Sequence, residues 1–204
     1  MTKANHGEGR DVARRLSAEA RKKEIVSTAQ ELIVRKGYRD LSLREVAREC
    51  GMSAPGLMHH FPTLESLLEA VLEHRDESDL AAIGAGDPAE LSLADVIDSA
   101  VTYYAERPDD QRTFDALEAE ALDPHHPAHQ WFVKRNHDVV ERLRPLLEKE
   151  FADPETALRL LRYLLDGMRL NRALNPDQPN FAVEAKTIYS VLQHGLEPAQ
   201  ARVR

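Results

Sequence analysis

Cysteine is nearly absent: the 204-residue chain has a single one, Cys50. One thiol cannot build an internal disulfide framework, and nothing stands near it at zinc-ligand spacing. Glycine is scarce as well, at 9 residues. No apolar run reaches the length that crosses a bilayer, and the first residues are too polar and charged for a secretory leader. No stretch alternates convincingly as a half-buried strand does, and no repeat or low-complexity tract stands out. The expectation is a soluble cytoplasmic chain without a membrane partner. Its 42% apolar fraction is enough for a packed core, in one medium domain or a small domain fused to a larger one.

The net charge of −8 speaks by itself against nucleic acid. Its distribution does not. Residues 1–62 hold 12 Lys and Arg against 8 Asp and Glu, and the remainder holds 15 against 27. A basic head on an acidic body suggests two tasks in one chain.

The head begins with a predicted mobile arm over residues 1–17, containing Arg10, Arg14 and Arg15. In "EARKKEIVSTAQELIVRKG", Ile25, Ala29, Leu32 and Ile33 fall on one stripe of an amphipathic helix. Gly37 ends it, Tyr38 is placed to fold back, and Arg35 and Lys36 sit in the last turn, where the dipole favours cations. "LSLREVAREC" opens with Ser42 and Glu45 at capping-box spacing, and Gly51 breaks that helix. Ser53 caps a third helix with Pro55 in its first turn, and Pro62 stops it after about His60. Thr63 caps a fourth, with Leu64, Leu67, Leu68, Val71 and Leu72 on one face. This head domain is read as residues 18–82. From 83 to 204 the chain reads as helices at about 91–106, 110–122, 126–151, 154–174 and 181–195, broken at Pro108, Pro124, Pro154 and Pro176. The fold class is all-α.

A third helix so short, opened and closed so abruptly, has a physical reason. Ala47, Gly51 and Leu57 have the spacing of a helix-turn-helix. The crossing asks for a small side chain at Ala47, and the turn asks for a positive φ at Gly51. Leu57 then plugs into the shared core. About eight residues at ~1.5 Å each span roughly the width of a major groove.

Residues from about Arg21 to Ala81 resemble the DNA-binding domain of the tetracycline-repressor (TetR) family of bacterial transcriptional regulators. The resemblance runs through "LSLREVARECGMS" and "GLMHHFPTLESLLEAVL", and from Ala29 through Gly37, Tyr38, Ala47, Gly51 and Phe61 to Leu67 and Leu68. It implies a homodimer on a palindromic double-stranded DNA operator, and a C-terminal domain that senses a small-molecule effector and dimerises. The family commonly has tyrosine where this chain has Met58 and lysine where it has Leu64, both resembling phosphate contacts. The basic arm with Arg21, Lys22 and Lys23 is expected to compensate, since cation–phosphate pairs supply sequence-independent affinity. Arg44 is a further phosphate or base candidate, and the helix starts at Ser42, Ser53 and Thr63 offer amides to phosphates. On the third helix Ala54, Pro55, Met58 and His59 are the candidate base contacts, with Gly56 permitting close approach. None is the bidentate Arg, Asn or Gln of direct readout, so thymine-methyl contacts and a histidine hydrogen bond are expected, with modest specificity per half-site. His59 is assigned to readout and His60 to packing.

In the body, the helix from Pro154 carries Ala157, Leu158, Leu160, Leu161, Leu164, Leu165 and Met168, an arc broader than one core-facing stripe. With Ala185, Ile188, Val191 and Leu192 on the last helix, it is expected to build a four-helix interface between two copies. Tyr103, Tyr104, Phe114, Leu117, Trp131, Phe132, Asn136, Met168 and Asn171 are the candidate effector contacts, with Asp166 and Arg169 as charged anchors.

Two other functions compete. His125, His126 and His129 in "DPHHPAH" suggest a metal-assisted enzyme. No nucleophile–base pair, glycine-rich phosphate loop or paired-carboxylate motif accompanies them, so neither an enzyme nor a cofactor or metal is the expectation. Met58 and Leu64 support a chain of the same fold that binds ligand without DNA.

Overall fold

In the computed structural model, residues 17–84, 91–175 and 181–199 are described. The expected arm lies outside them apart from Ser17, as does most of the break at "IGAGDP". The described residues form nine helices and no strand, with one isolated bridge between Phe151 and Pro198. Among them no helix is long and apolar enough to cross a membrane.

The first helix, α1 (Ala18–Lys36), starts where the Ser17 hydroxyl accepts from the Ala20 N–H. It ends at Gly37, whose φ of 84° belongs to glycine and whose N–H closes on Ile33. Helices α2 (Leu43–Glu49) and α4 (Leu64–Ile83) pack against it, and α3 (Ala54–His60) packs against α2. Ile25, Ala29, Val46, Ala47, Leu57, Leu67 and Leu68 make a core with almost no solvent exposure. The α4 start is a full capping box: Thr63 accepts from the Ser66 N–H while Ser66 accepts from the Thr63 N–H.

The body consists of α5 (Leu93–Ala105), α6 (Pro108–Glu120), α7 (His129–Glu150), α8 (Pro154–Leu174) and α9 (Phe181–Gly195). Three boundaries differ from the sequence reading. A Ser92–Asp95 capping box begins α5 later than residue 91, and Pro108 takes the first position of α6, ahead of residue 110. "DPHHPA" winds into turns, which delays α7 to His129. Helix α7 also runs through Pro145, which lacks the N–H that would bond one turn back.

Leu93, Leu147, Phe151, Ala157, Leu161 and Leu192 form a second core among α5, α7, α8 and α9. The first core does not stop at α4. Phe114, Leu117 and Ala121 of α6, and Ala128 and Phe132 near the start of α7, complete it. Helix α4 therefore belongs to both halves, with its leucines under α1 to α3 and its charged second half against the body.

Candidate nucleic-acid interface and ligand cavity

The α2–α3 turn follows from Gly51. Its φ of 62° reverses the chain, the Met52 N–H reaches the Ala47 carbonyl at 2.9 Å, and Ala47 is buried at the crossing. The Ser53 hydroxyl then accepts from the Gly56 N–H at 3.2 Å. Leu57 is 0% exposed and fixes the roll of α3 about its axis. The neighbouring side chains turn outward: Met58 is 48% exposed, Pro55 and His59 are exposed, and Ala54 and Gly56 are half-buried. His60 is half-buried and meets the His59 ring edge-on at 5.8 Å. Gly56 has a structural reason beyond close approach. A Cβ there would sit 3.1 Å from the Ser53 hydroxyl and crowd the cap.

Ser42, Arg44 and Thr63 are exposed on the same four-helix unit. The hydroxyls of Ser42, Ser53 and Thr63 are each engaged by an amide of their own helix. The expected Ser42–Glu45 capping box is only half formed. Ser42 accepts from the Glu45 N–H, but the Glu45 carboxylate turns to Lys36, with Arg48 also near. The Lys36 hydrogen bond holds Glu45 below the usual carboxylate range. A full charge from α1 outcompetes the neutral Ser42 amide, because an ion-assisted bond is about twice as strong. Leu64, in the place of the family's lysine, is half-buried against the first core.

The body holds a partly open cavity of about 610 Å³, between the second half of α4 and helices α5 to α9. Its walls are mainly aliphatic, from Leu80, Ile83, Val96, Ile97, Val139 and Leu165 among others. Of the candidate contacts, Tyr104, Phe114, Asn136, Asp166, Met168 and Arg169 line it, and Tyr103, Leu117, Trp131, Phe132 and Asn171 do not. Leu117 and Phe132 are buried in the first core instead, where Phe114, Trp131 and Phe132 pack ring to ring at 5.1 to 6.3 Å. Tyr103 stacks under the Arg107 guanidinium at 4.1 Å.

One end of the cavity is polar, where Tyr104, Asn136 and Arg169 meet residues the sequence reading did not single out. Arg75 and Asp79 on α4 are only 4% and 2% exposed. Arg75 donates to Asp110 and Gln111 of α6, each at 2.9 Å. Tyr104 donates to Asp79 at 3.1 Å, and burial pushes the Tyr104 hydroxyl well above the usual tyrosine range. Arg135 of α7 pairs with Asp76 at 3.0 Å. Arg169 of α8 donates to Asp115 at 2.8 Å and to Glu118, which also accepts from Asn136. These two carboxyls diverge: burial pushes Asp115 up, whereas Arg169 and Asn136 overcome burial and hold Glu118 down. A signal for this network existed. Positions 75 and 79 continue the Leu68, Val71, Leu72 stripe of α4 at helical spacing.

The His125, His126 and His129 cluster forms the turn from α6 to α7. His126 Nδ1 accepts from the Ala128 N–H and its ring meets Tyr38 edge-on at 5.8 Å, while His129 Nδ1 lies 2.8 Å from the Ala121 carbonyl. Among the described residues no group of three His, Cys, Asp or Glu comes together at metal-binding distance.

Residues 25–71 match the family model "Bacterial regulatory proteins, tetR family". YuxN of Bacillus subtilis, an uncharacterized HTH-type transcriptional regulator, is 37% identical over 54 residues, 26% of this chain and 19% of that protein. The chain thus matches about a fifth of that relative's length. The overall fold is similar to FadR of Bacillus subtilis, solved in complex with stearoyl-CoA, with a TM-score of 0.69 and 16% identity over 86% of this chain and 99% of that one. It is also similar to the multidrug binding protein EbrR, solved with proflavin, with a TM-score of 0.61 and 23% identity over 84% and 99% of the two chains.

Proposed function

We propose that this chain, which belongs to the TetR family of bacterial regulatory proteins through residues 25–71, is a repressor that binds a palindromic operator as a homodimer and is released by a small-molecule effector. The observation that carries the DNA half is the division of α3 between fully buried Leu57 and exposed Met58 and His59. A short helix pinned by one side of itself presents the other rigidly, as a major-groove reader requires. Ala54, Pro55 and Met58 contact thymine methyls, His59 supplies a hydrogen bond, and Gly56 allows close approach. Arg44 contacts phosphate. Ser42, Ser53 and Thr63 act through the helix starts they hold.

Dimerisation through α8 and α9 is supported by their exposed apolar side chains. Leu160, Tyr163, Leu164, Leu170 and Leu174 run along α8 at helical spacing, with Tyr163 67% and Leu174 72% exposed, and Val183 and Val191 lie exposed on α9. A two-fold axis there pairs the recognition helices for half-sites about 34–36 Å apart. The effector is assigned to the 610 Å³ cavity, with Tyr104, Phe114, Asn136, Asp166, Met168 and Arg169 as contacts. FadR and EbrR, which share the fold, were solved with small molecules bound.

Titration of a labelled duplex from the region upstream of the chain's own gene, read by anisotropy, tests the proposal. Salt-sensitive binding that prefers this duplex over a scrambled one is the expected result. Equal binding to both overturns it. A ligand-binding protein without DNA affinity is the second reading, favoured by Met58 alone now that Leu64 is accounted for in the core. Unchanged affinity on combining Arg44→Ala with His59→Ala would favour that second reading.

A further inference from the structure

The geometry points to an effector that carries a cationic or strongly hydrogen-bond-donating nitrogen on an otherwise apolar body, received by Asp79 at the polar end of the cavity. This rests on the reading of the cavity as the effector site and adds the chemistry of what enters it. Asp79 lines the cavity, is almost wholly buried, and uses Oδ2 for Tyr104 and Arg75. Its Oδ1 makes no hydrogen bond of good geometry, although the Tyr103 hydroxyl stands near enough to pull the carboxyl down. A buried carboxylate oxygen left without a well-placed donor is costly, and the group that relieves it is a donor, best a charged one.

The surrounding charges point the same way. At this end Arg75, Arg135 and Arg169 face five carboxylates, those of Asp76, Asp79, Asp110, Asp115 and Glu118. Each of the three arginines is engaged by at least one acid, and Arg75 Nη1, which makes no hydrogen bond, stands 3.2 Å from Asp79 Oδ2 as an ion pair. Burial pushes the Asp79 carboxyl up against the opposing pull of Arg75, and a cation in contact restores its ionised form. The remaining walls are mainly aliphatic, interrupted by exposed Arg142 and by Arg162, which pairs with Asp166.

A displacement assay on the purified full-length protein tests this. N-phenyl-1-naphthylamine, a neutral fluorophore, is loaded into the cavity, and decylammonium, decanol and decanoate are compared as competitors. Decylammonium is expected to displace it at roughly tenfold lower concentration than the other two, the scale of a charge-assisted hydrogen bond. Asp79→Asn is expected to erase that advantage and Asp79→Glu to retain most of it. The wild-type ranking alone decides the matter if the Asn variant does not fold. Decanoate or decanol competing as well as decylammonium overturns the inference, as does an Asn variant that keeps the preference or a fluorophore that never binds. Anisotropy of the operator complex, read in parallel, keeps the two readings apart. Ammonium-selective displacement that leaves DNA bound supports the Asp79 site and overturns effector release. Decanoate-selective displacement that frees the DNA does the reverse.

Discussion

The guanidinium carbon of Arg75 lies 3.8 Å from the centre of the Phe114 ring, so a cation on α4 is held over an aromatic side chain of α6. The same guanidinium donates to Asp110 and Gln111 and stands 3.2 Å from Asp79. One side chain therefore fastens the helix that ends the DNA-binding unit to the body that holds the cavity. Arg75→Met keeps the packing volume but strands the acids, and breaking a buried pair on one side costs about 3–5 kcal/mol. Urea denaturation is expected to show a loss of that size.

Gly51→Ala tests the turn itself. Nothing lies within 4 Å of the added Cβ, so the cost is conformational, from a φ of 62°. About 1–2 kcal/mol of stability is expected to be lost. Operator affinity should fall further than stability does, because the tilt of α3 depends on that turn. Denaturation and anisotropy on the same preparation separate the two.

Arg44→Ala and His59→Ala are expected to fail differently. Losing a phosphate contact weakens every duplex alike and lowers the salt slope by about 1, whereas losing a base contact costs about 1–3 kcal/mol on the operator only. Anisotropy titrations across salt, on operator and scrambled DNA, distinguish the patterns.

Tyr163→Glu places a charge in the exposed α8 stripe without touching either core. Sedimentation should show monomer where the wild type is dimeric, with helical content preserved. Operator binding should drop steeply, since one half-site remains.

The acid limb of stability should depend on Glu118. Arg169 and Asn136 hold its carboxyl below the usual range. Its contribution is therefore present above the ordinary carboxylate value and is lost as pH falls through the depressed folded value. Glu118→Gln should be less stable than wild type at neutral pH, with the gap closing on acidification. Denaturation midpoints from pH 7 down to 3 check this.

The helix-turn-helix was legible because its signals are local. A glycine that needs positive φ, a serine cap and a proline stop each leave a mark at fixed spacing, and Gly51, Ser53 and Pro62 all did. The capping box at Ser42 misled for the same reason, since the motif cannot register Lys36 arriving from another helix. The aromatics were harder. Phe114 and Phe132 look alike in sequence, yet one borders the cavity as well as the core while the other is in the core alone. That difference depends on which side of α6 and α7 meets α1 and α4, and no local pattern encodes it. Arg75 and Asp79 escaped notice because charged residues four apart usually mark a solvated face. Their place on the Leu68, Val71, Leu72 stripe argued otherwise.

Helix α4 runs unbroken from Leu64 to Ile83, with no glycine or proline within it. Its 20 residues make a rod roughly 30 Å long at ~1.5 Å per residue. A stiff rod does not absorb a disturbance at one end; it transmits it. Swinging the Asp79 end by about 5° about the far terminus, or the reverse, moves a tip by roughly 2–3 Å over that length. Displacement on that scale is comparable to a hydrogen bond, and the proposed effector release asks for no larger movement of α3.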